Sequence, residues 1–159
     1  ETGIDRPHSQ FRQLNKNKRG NYLIPLISTS EVREISPSGK LINSFKVEGT
    51  PFTTLESTDG NYWIACGDGH ALIEANPNDG QIIRRYNEND IKGVRLFFTA
   101  GLCKSSDGNL YICNWQGHSH DANAANSPQL FEINQKGEVI WSLNDNQTFG
   151  MISAVSTIN

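Results

Sequence analysis

A unit of about 40 to 48 residues recurs three times along this chain, and the repeat constrains the fold more than any other feature. Each copy opens with a turn that contains a Gly-Asn pair, at Gly20, Gly60 and Gly108, and an apolar segment follows directly. A polar loop, a second apolar segment, a Gly-containing turn and a third segment then come in the same order. Short β-type runs between Gly, Asn, Asp and Pro turns, without a sustained helical periodicity, predict an all-β protein.

One more β-type segment precedes each Gly-Asn turn, so every unit contains four predicted strands. Four strands in a repeat of about 40–45 residues are typical of β-propeller blades, which bury their faces against neighbouring blades. We therefore predict a β-propeller of four-stranded blades that occupies residues 1–159 as a single domain. Its repeat units are expected at about 11–50, 51–97 and 98–148, followed by a closing strand at 149–159.

The number of units predicts a larger ring. Propellers close with typically four to eight blades, so three blades and one extra strand are expected to form part of a six- or seven-bladed ring. The remaining blades would come from a longer chain or from a partner. Because the chain begins at Glu1 and its methionine is Met151, a C-terminal portion of a longer protein is the expectation.

Composition argues against several classes of partner. The formal net charge of −3 provides no basic face for nucleic acid. No apolar run approaches the roughly 20 residues that a membrane-spanning helix needs.

Cys66, Cys103 and Cys113 lie in apolar runs and match neither a disulfide framework nor a zinc signature. They are expected to be small buried residues, with a Cys66–Cys113 pair as the alternative.

The outer half of the third unit, QLFEINQKGEVIWSL, is similar to the blade motif of quinoprotein-like propellers, with Trp141 at the closing tryptophan position. The segments GNYLIPL, LFFTAGL, GNLYICNWQGH and PQLFEI resemble a family of Bacteroidetes propeller proteins that carry surface-layer names. This resemblance implies the propeller fold and a cell-envelope location, periplasmic or secreted, but no reaction. We find no quinone-binding motif, so no bound quinone is expected.

Propeller geometry predicts where a binding site would form. The loop that enters the innermost strand and the loop that leaves the next strand open on one face, beside the central channel. Such loops contain His8, His70 and His118, and the last two follow Gly60 and Gly108 at the same spacing. We expect the ligand-binding residues of this rim to be His8, His70, His118, Arg95, Asp68, Asn114, Trp115 and Gln116.

These residue types suit a polar ligand. Imidazoles bind metal ions or hydrogen bond to sugar hydroxyls, and Arg95 can hold the carboxylate of a uronic acid. Trp115 can stack on a sugar ring or cap the core. His8, His70 and His118 are together candidate ligands for a divalent metal, although polar turns also contain histidines that are merely solvated. His120 lies in a small polar insertion and is expected to be solvated.

Three functions fit this rim. The first is an extracytoplasmic module that binds a carbohydrate or another small polar ligand. The second is a His- or metal-dependent polysaccharide lyase or hydrolase that acts on acidic sugars, and the third is a scaffold for another protein. Propellers host all of these, so the fold cannot choose between them, whereas metal content and glycan binding can.

Overall fold

The computed structural model describes residues 13–115 and 126–157 and contains three four-stranded antiparallel sheets. The first sheet consists of β1 Asn15–Lys16, β2 Tyr22–Leu26, β3 Glu31–Ile35 and β4 Leu41–Lys46. The second consists of β5 Thr53–Glu56, β6 Tyr62–Cys66, β7 Ala71–Ala75 and β8 Ile82–Tyr86. The third consists of β9 Thr99–Lys104, β10 Leu110–Asn114, β11 Leu130–Ile133 and β12 Val139–Leu143. A short 3-10 turn, Ile27–Thr29, joins β2 to β3.

Each sheet is a meander in which consecutive strands are hydrogen-bonded neighbours. This arrangement confirms the prediction of an all-β fold with four-stranded blades. Within the two described ranges there is no α-helix, and hence no helix of membrane-spanning length and apolarity. The three sheets stack as blades but do not close into a ring.

The Gly-Asn turns start the second strand of every blade. Gly20, Gly60 and Gly108 have φ angles of 79°, 93° and 84°, a left-handed conformation that glycine adopts without strain from a Cβ. Each glycine N–H donates to the carbonyl oxygen three residues earlier, so the chain reverses tightly. The turn therefore makes hairpins of β1–β2, β5–β6 and β9–β10.

The asparagine after each of these glycines binds a glutamate on the third strand of its own blade. Its Nδ2 donates to a carboxylate oxygen in the pairs Asn21–Glu34 (2.6 Å), Asn61–Glu74 (3.1 Å) and Asn109–Glu132 (3.0 Å). The register with the fourth strand shifts directly after each glutamate. This repeated contact was not predicted from the sequence, although both residues recur in every unit.

The second blade is buried on both faces. Tyr62 and Ile64 of β6 pack in a cluster with Leu23 and Phe45 of the first blade. Trp63, the residue between them, packs in a cluster with Leu102, Ile112 and Phe131 of the third blade. Because successive side chains of a strand point to opposite faces, β6 is apolar throughout rather than alternating. Blades that bury both faces in this way depend on their neighbours for stability.

The segment after β12 packs on the third blade without forming a strand. No strand is assigned to the described part of 149–159, where a closing strand was predicted. Ile152 and Val155 pack against the apolar cluster that contains Phe98 and Cys113. A strand needs a hydrogen-bonded neighbour, and none of the twelve described strands pairs with this segment.

Candidate functional site

His70 closes the turn between β6 and β7. Its backbone N–H donates to the carbonyl oxygen of Gly67 at 3.0 Å, and its φ is 45°. Ser30, at the same position of the first blade, has a φ of 50° and donates to Ile27 at 3.3 Å. Histidine tolerates this left-handed conformation better than most residues do, so His70 has a role in the turn that is independent of any ligand. Its side chain is exposed.

The imidazole of His70 contacts the neighbouring blade. Nδ1 hydrogen bonds to the backbone carbonyl oxygen of Phe97, just before β9. A carbonyl oxygen only accepts, so Nδ1 carries the proton, and Nε2 of the neutral ring is an acceptor. Histidines that bind metals are commonly oriented in this way, with one ring nitrogen on a carbonyl and the other on the ligand. The contact therefore orients an exposed ring and leaves Nε2 as its acceptor.

The short segment 95–98 receives contacts from the other predicted residues of the rim. The N–H of Phe97 donates to Oδ1 of Asn114 at 2.8 Å. The carbonyl oxygen of Phe98 accepts from the N–H of Trp115 at 2.8 Å. The guanidinium of Arg95 lies 4.7 Å from the centroid of the Phe97 ring. The structure thus brings the histidine turn of the second blade and the end of β10 together around one segment.

Asn114 is fully buried, and its side-chain amide is used inside the protein. Nδ2 donates to the carbonyl oxygens of Arg95 at 2.9 Å and Pro128 at 3.0 Å. The hydroxyl of Ser127 donates to the same Arg95 carbonyl at 2.8 Å. Asn114 therefore positions the rim loops by satisfying their buried backbone groups. Ser127 belongs to this network but was missed, since a serine beside an insertion has no distinctive signal in the sequence.

The remaining described residues of the predicted site differ in what they contact. Nε of Arg95 lies 2.6 Å from Oε1 of Glu88, so a ligand carboxylate at Arg95 would compete with this ion pair. Trp115 is half-buried, and its ring meets that of Phe98 edge-on at a centroid distance of 5.1 Å. It caps the apolar cluster at this end of the blades. Asp68 is exposed in the turn before His70.

His8, Gln116, His118 and His120 lie outside the described residues. The expected meeting of His8, His70 and His118 at one metal ion therefore stays a prediction. Within residues 13–115 and 126–157, no group of three His, Cys, Asp or Glu side chains is arranged to hold a metal ion. Of the three histidines in the predicted set, His70 is the one with a described environment.

The three cysteines are free thiols. Cys66 and Cys113 are buried in different apolar clusters, so the alternative of a disulfide between them is wrong. Burial raises the pKa of both thiols to about 12. Cys103 is partly exposed on β9. The interpretation as small buried residues is confirmed for Cys66 and Cys113.

Comparisons with known proteins support the fold. Residues 1–138 match the family model described as Mal s 1 allergenic protein-like. A protein of unknown function from Bacteroides caccae is 55% identical over 98% of this chain and 57% of its own, with a TM-score of 0.82. A search of the curated proteins finds no significant match.

More distant solved structures share the fold alone. Virginiamycin B lyase from Staphylococcus aureus is 14% identical over 91% of this chain and 44% of its own, with a TM-score of 0.62. The β-propeller domain of Cps50 (Swd1) from Myceliophteria thermophila is 12% identical over 82% and 40%, with a TM-score of 0.52. The chain thus spans about half the length of the solved proteins that it matches.

Proposed function

The chain belongs to the Mal s 1 allergenic protein-like family, and we propose that it is a β-propeller module that binds a carbohydrate or another small polar ligand at its rim. The contact between His70 Nδ1 and the Phe97 carbonyl carries this proposal. It orients an exposed imidazole whose Nε2 can accept a hydrogen bond from a sugar hydroxyl. Asp68 in the same turn and Arg95 in the contacted segment supply further polar groups.

The proposal includes the rest of the ring and its location. We propose that additional blades complete the propeller, because the Bacteroides caccae protein matches 98% of this chain with only 57% of its own length. A location in the cell envelope, periplasmic or secreted, rests on the sequence resemblance to propellers with surface-layer names. Fractionation of cells that express the full-length protein tests this location.

A lyase that acts on an acidic polymer is the second candidate. The observation in its favour is that the His70 imidazole and the Arg95 guanidinium both contact Phe97. Virginiamycin B lyase shares only the fold, since it is 14% identical, and carries no argument about the reaction. The His70 imidazole and the Arg95 guanidinium are the groups that such a reaction would use, as a base and as a carboxylate anchor.

Calorimetric titration of the full-length protein with a panel of neutral and uronic-acid oligosaccharides tests the proposal. His70→Asn is the informative variant, because asparagine tolerates the left-handed turn while lacking the imidazole. We expect it to weaken binding at least about tenfold, or ~1.4 kcal/mol. The lost hydrogen bond to Phe97 should lower the melting temperature by only about 2–4 °C. Ser30→Asn, at the same turn of the first blade, is the matched control and should bind as wild type.

Two results would contradict the proposal. Equal binding by wild type and His70→Asn would show that His70 does not contact the ligand. Release of an unsaturated product from uronic-acid polymers, seen as a rise in ultraviolet absorbance that His70→Asn abolishes, would establish the lyase instead.

A further inference from the structure

A cavity of about 260 Å³ lies between the second and third blades, at the end of the sheets opposite the His70 turn. Side chains of Ser57, Asp59 and Glu74 line it from the second blade, and Leu110 lines it from the third. The volume is below the roughly 300–1,000 Å³ of pockets for drug-sized ligands, so the cavity suits a small molecule or a single functional group.

The corresponding place between the first and second blades is filled by the protein itself. Glu34, the equivalent of Glu74, receives a hydrogen bond from the Asn17 amide at 2.7 Å and one from the Tyr62 hydroxyl at 3.0 Å. The Arg19 guanidinium lies 3.0 Å from both carboxylate oxygens. An amide, a phenol and a guanidinium thus satisfy this buried carboxylate.

The next interface has none of these three residues at its equivalent positions. The repeat places Ser57, Asp59 and Leu110 where the amide, the guanidinium and the phenol stand in the preceding interface. All three replacements are shorter side chains, and Asp59 also exchanges a positive charge for a negative one. The cavity therefore lies where Asn17, Arg19 and Tyr62 surround Glu34 one blade earlier. Its own cation, the Arg84 guanidinium, comes from β8 instead.

Glu74 keeps few partners for a buried carboxylate. It is 5% exposed, accepts a hydrogen bond from Asn61 at 3.1 Å and lies 3.6 Å from Nε of Arg84. Arg84 is shared, since its Nη1 also donates to the Gln135 carbonyl oxygen at 2.8 Å. Together, Asp59, Glu74 and Arg84 give the cavity one excess negative charge, which favours a cation that donates hydrogen bonds.

We propose that this cavity binds a small ligand through an alkyl guanidinium or alkyl ammonium group, with Glu74 as its acceptor. The ligand reproduces the contacts that Arg19 makes to Glu34 in the preceding interface. The Asp59 carboxylate, which accepts from the Ser57 hydroxyl and from Asn61, supplies a further acceptor. The Trp63 ring, with the Arg84 guanidinium 5.9 Å from its centroid, supplies an apolar and aromatic wall. This site is separate from the His70 rim and does not depend on the function proposed there.

Titration of agmatine into the full-length protein, followed by calorimetry, tests the proposal, with the neutral N-butylurea as the reference compound. We expect saturable binding of agmatine only. Glu74→Gln should weaken it at least about tenfold. Leu110→Tyr and Asp59→Arg rebuild the filled interface, so both should abolish binding in a protein that melts no lower than wild type. Glu132→Gln, at the same position of the third blade, is the matched control and should bind normally.

The same titrations can overturn the proposal. Absence of saturable agmatine binding to the wild type would refute it, as would equal binding of N-butylurea. Undiminished binding by Glu74→Gln or by Leu110→Tyr would place the cation outside the cavity. His70→Asn separates this site from the rim, because it should leave agmatine binding unchanged.

Discussion

Replacement of Glu34 by glutamine should destabilise the protein strongly although the side chain barely changes shape. Glu34 is 3% exposed and accepts hydrogen bonds on both carboxylate oxygens. Glutamine keeps one acceptor for Asn17 and Asn21, but it turns an amide N–H₂ toward Tyr62 and Arg19. One buried acceptor is thus lost, and the charge that attracts the guanidinium is lost with it.

The magnitude follows from the environment of each lost contact. A hydrogen bond to a buried charged group contributes about 1.5–3 kcal/mol, which we assign to the contact with the Tyr62 hydroxyl. The ion pair with Arg19 adds at most about 1 kcal/mol, because the arginine side chain is 64% exposed and screened by solvent. We therefore expect Glu34→Gln to lower the free energy of unfolding by about 1.5–4 kcal/mol.

Urea unfolding of wild type, Glu34→Gln and Glu132→Gln at neutral pH measures this difference. Glu132 occupies the same position of the third blade but is partly exposed, so its substitution should cost less than about 1 kcal/mol. Equal costs for the two variants would refute the reasoning, because burial between two blades would then be irrelevant to the carboxylate.

The acid dependence gives a second test of the same carboxylate. Burial alone would raise the pKa of Glu34, but hydrogen bonds from Asn21, Asn17 and Tyr62 outweigh it and lower the pKa. The resulting stabilisation is present above the pKa of the unfolded chain and is lost as the pH falls through the lower folded value. The stability gap between wild type and Glu34→Gln should therefore narrow in acid.

Three further outcomes are expected. Burial raises the pKa of Tyr62 from 10.0 to about 12, so stability should fall between these pH values, and less steeply in Tyr62→Phe, as followed by urea unfolding. A thiol reagent should label Cys103 in the native protein, but Cys66 and Cys113 only after denaturation. Rapid labelling of Cys66 and Cys113 in the native protein would contradict their burial. Gly67→Ala should cost about 1–3 kcal/mol, because its Cβ would lie 2.5 Å from the Phe52 ring, and an unchanged melting temperature would show that the ring can move.

The blade architecture could be predicted because its signals are local. A Gly-Asn turn requires a left-handed glycine at Gly20, Gly60 and Gly108, and the apolar runs between the turns have the length of strands. The closing strand could not be assessed in this way. A strand needs a hydrogen-bonded neighbour, and the apolar residues around Met151 do not show whether the fold supplies one.

The candidate site could be predicted only in part. The shared turn position of Ser30 and His70 follows from the repeat, and the structure gives both the same left-handed backbone. Asn114 could not be distinguished from a rim residue, because its burial depends on the carbonyl groups of Arg95 and Pro128, which are remote in sequence. The Phe97 carbonyl that holds His70 has no side-chain signature at all.

The sequence by itself determined the repeat, the four strands of each blade and the turns that join them, because these follow from the properties of neighbouring residues. Only the tertiary structure decided what each polar side chain encounters across a blade interface. Glu34 and Glu74 are the same residue at equivalent positions of the repeat. Tyr62 nevertheless completes the environment of Glu34, while Leu110 leaves a cavity beside Glu74. The physical reason is that a buried carboxylate depends on groups from the adjacent blade, which are distant in sequence and close only in the fold.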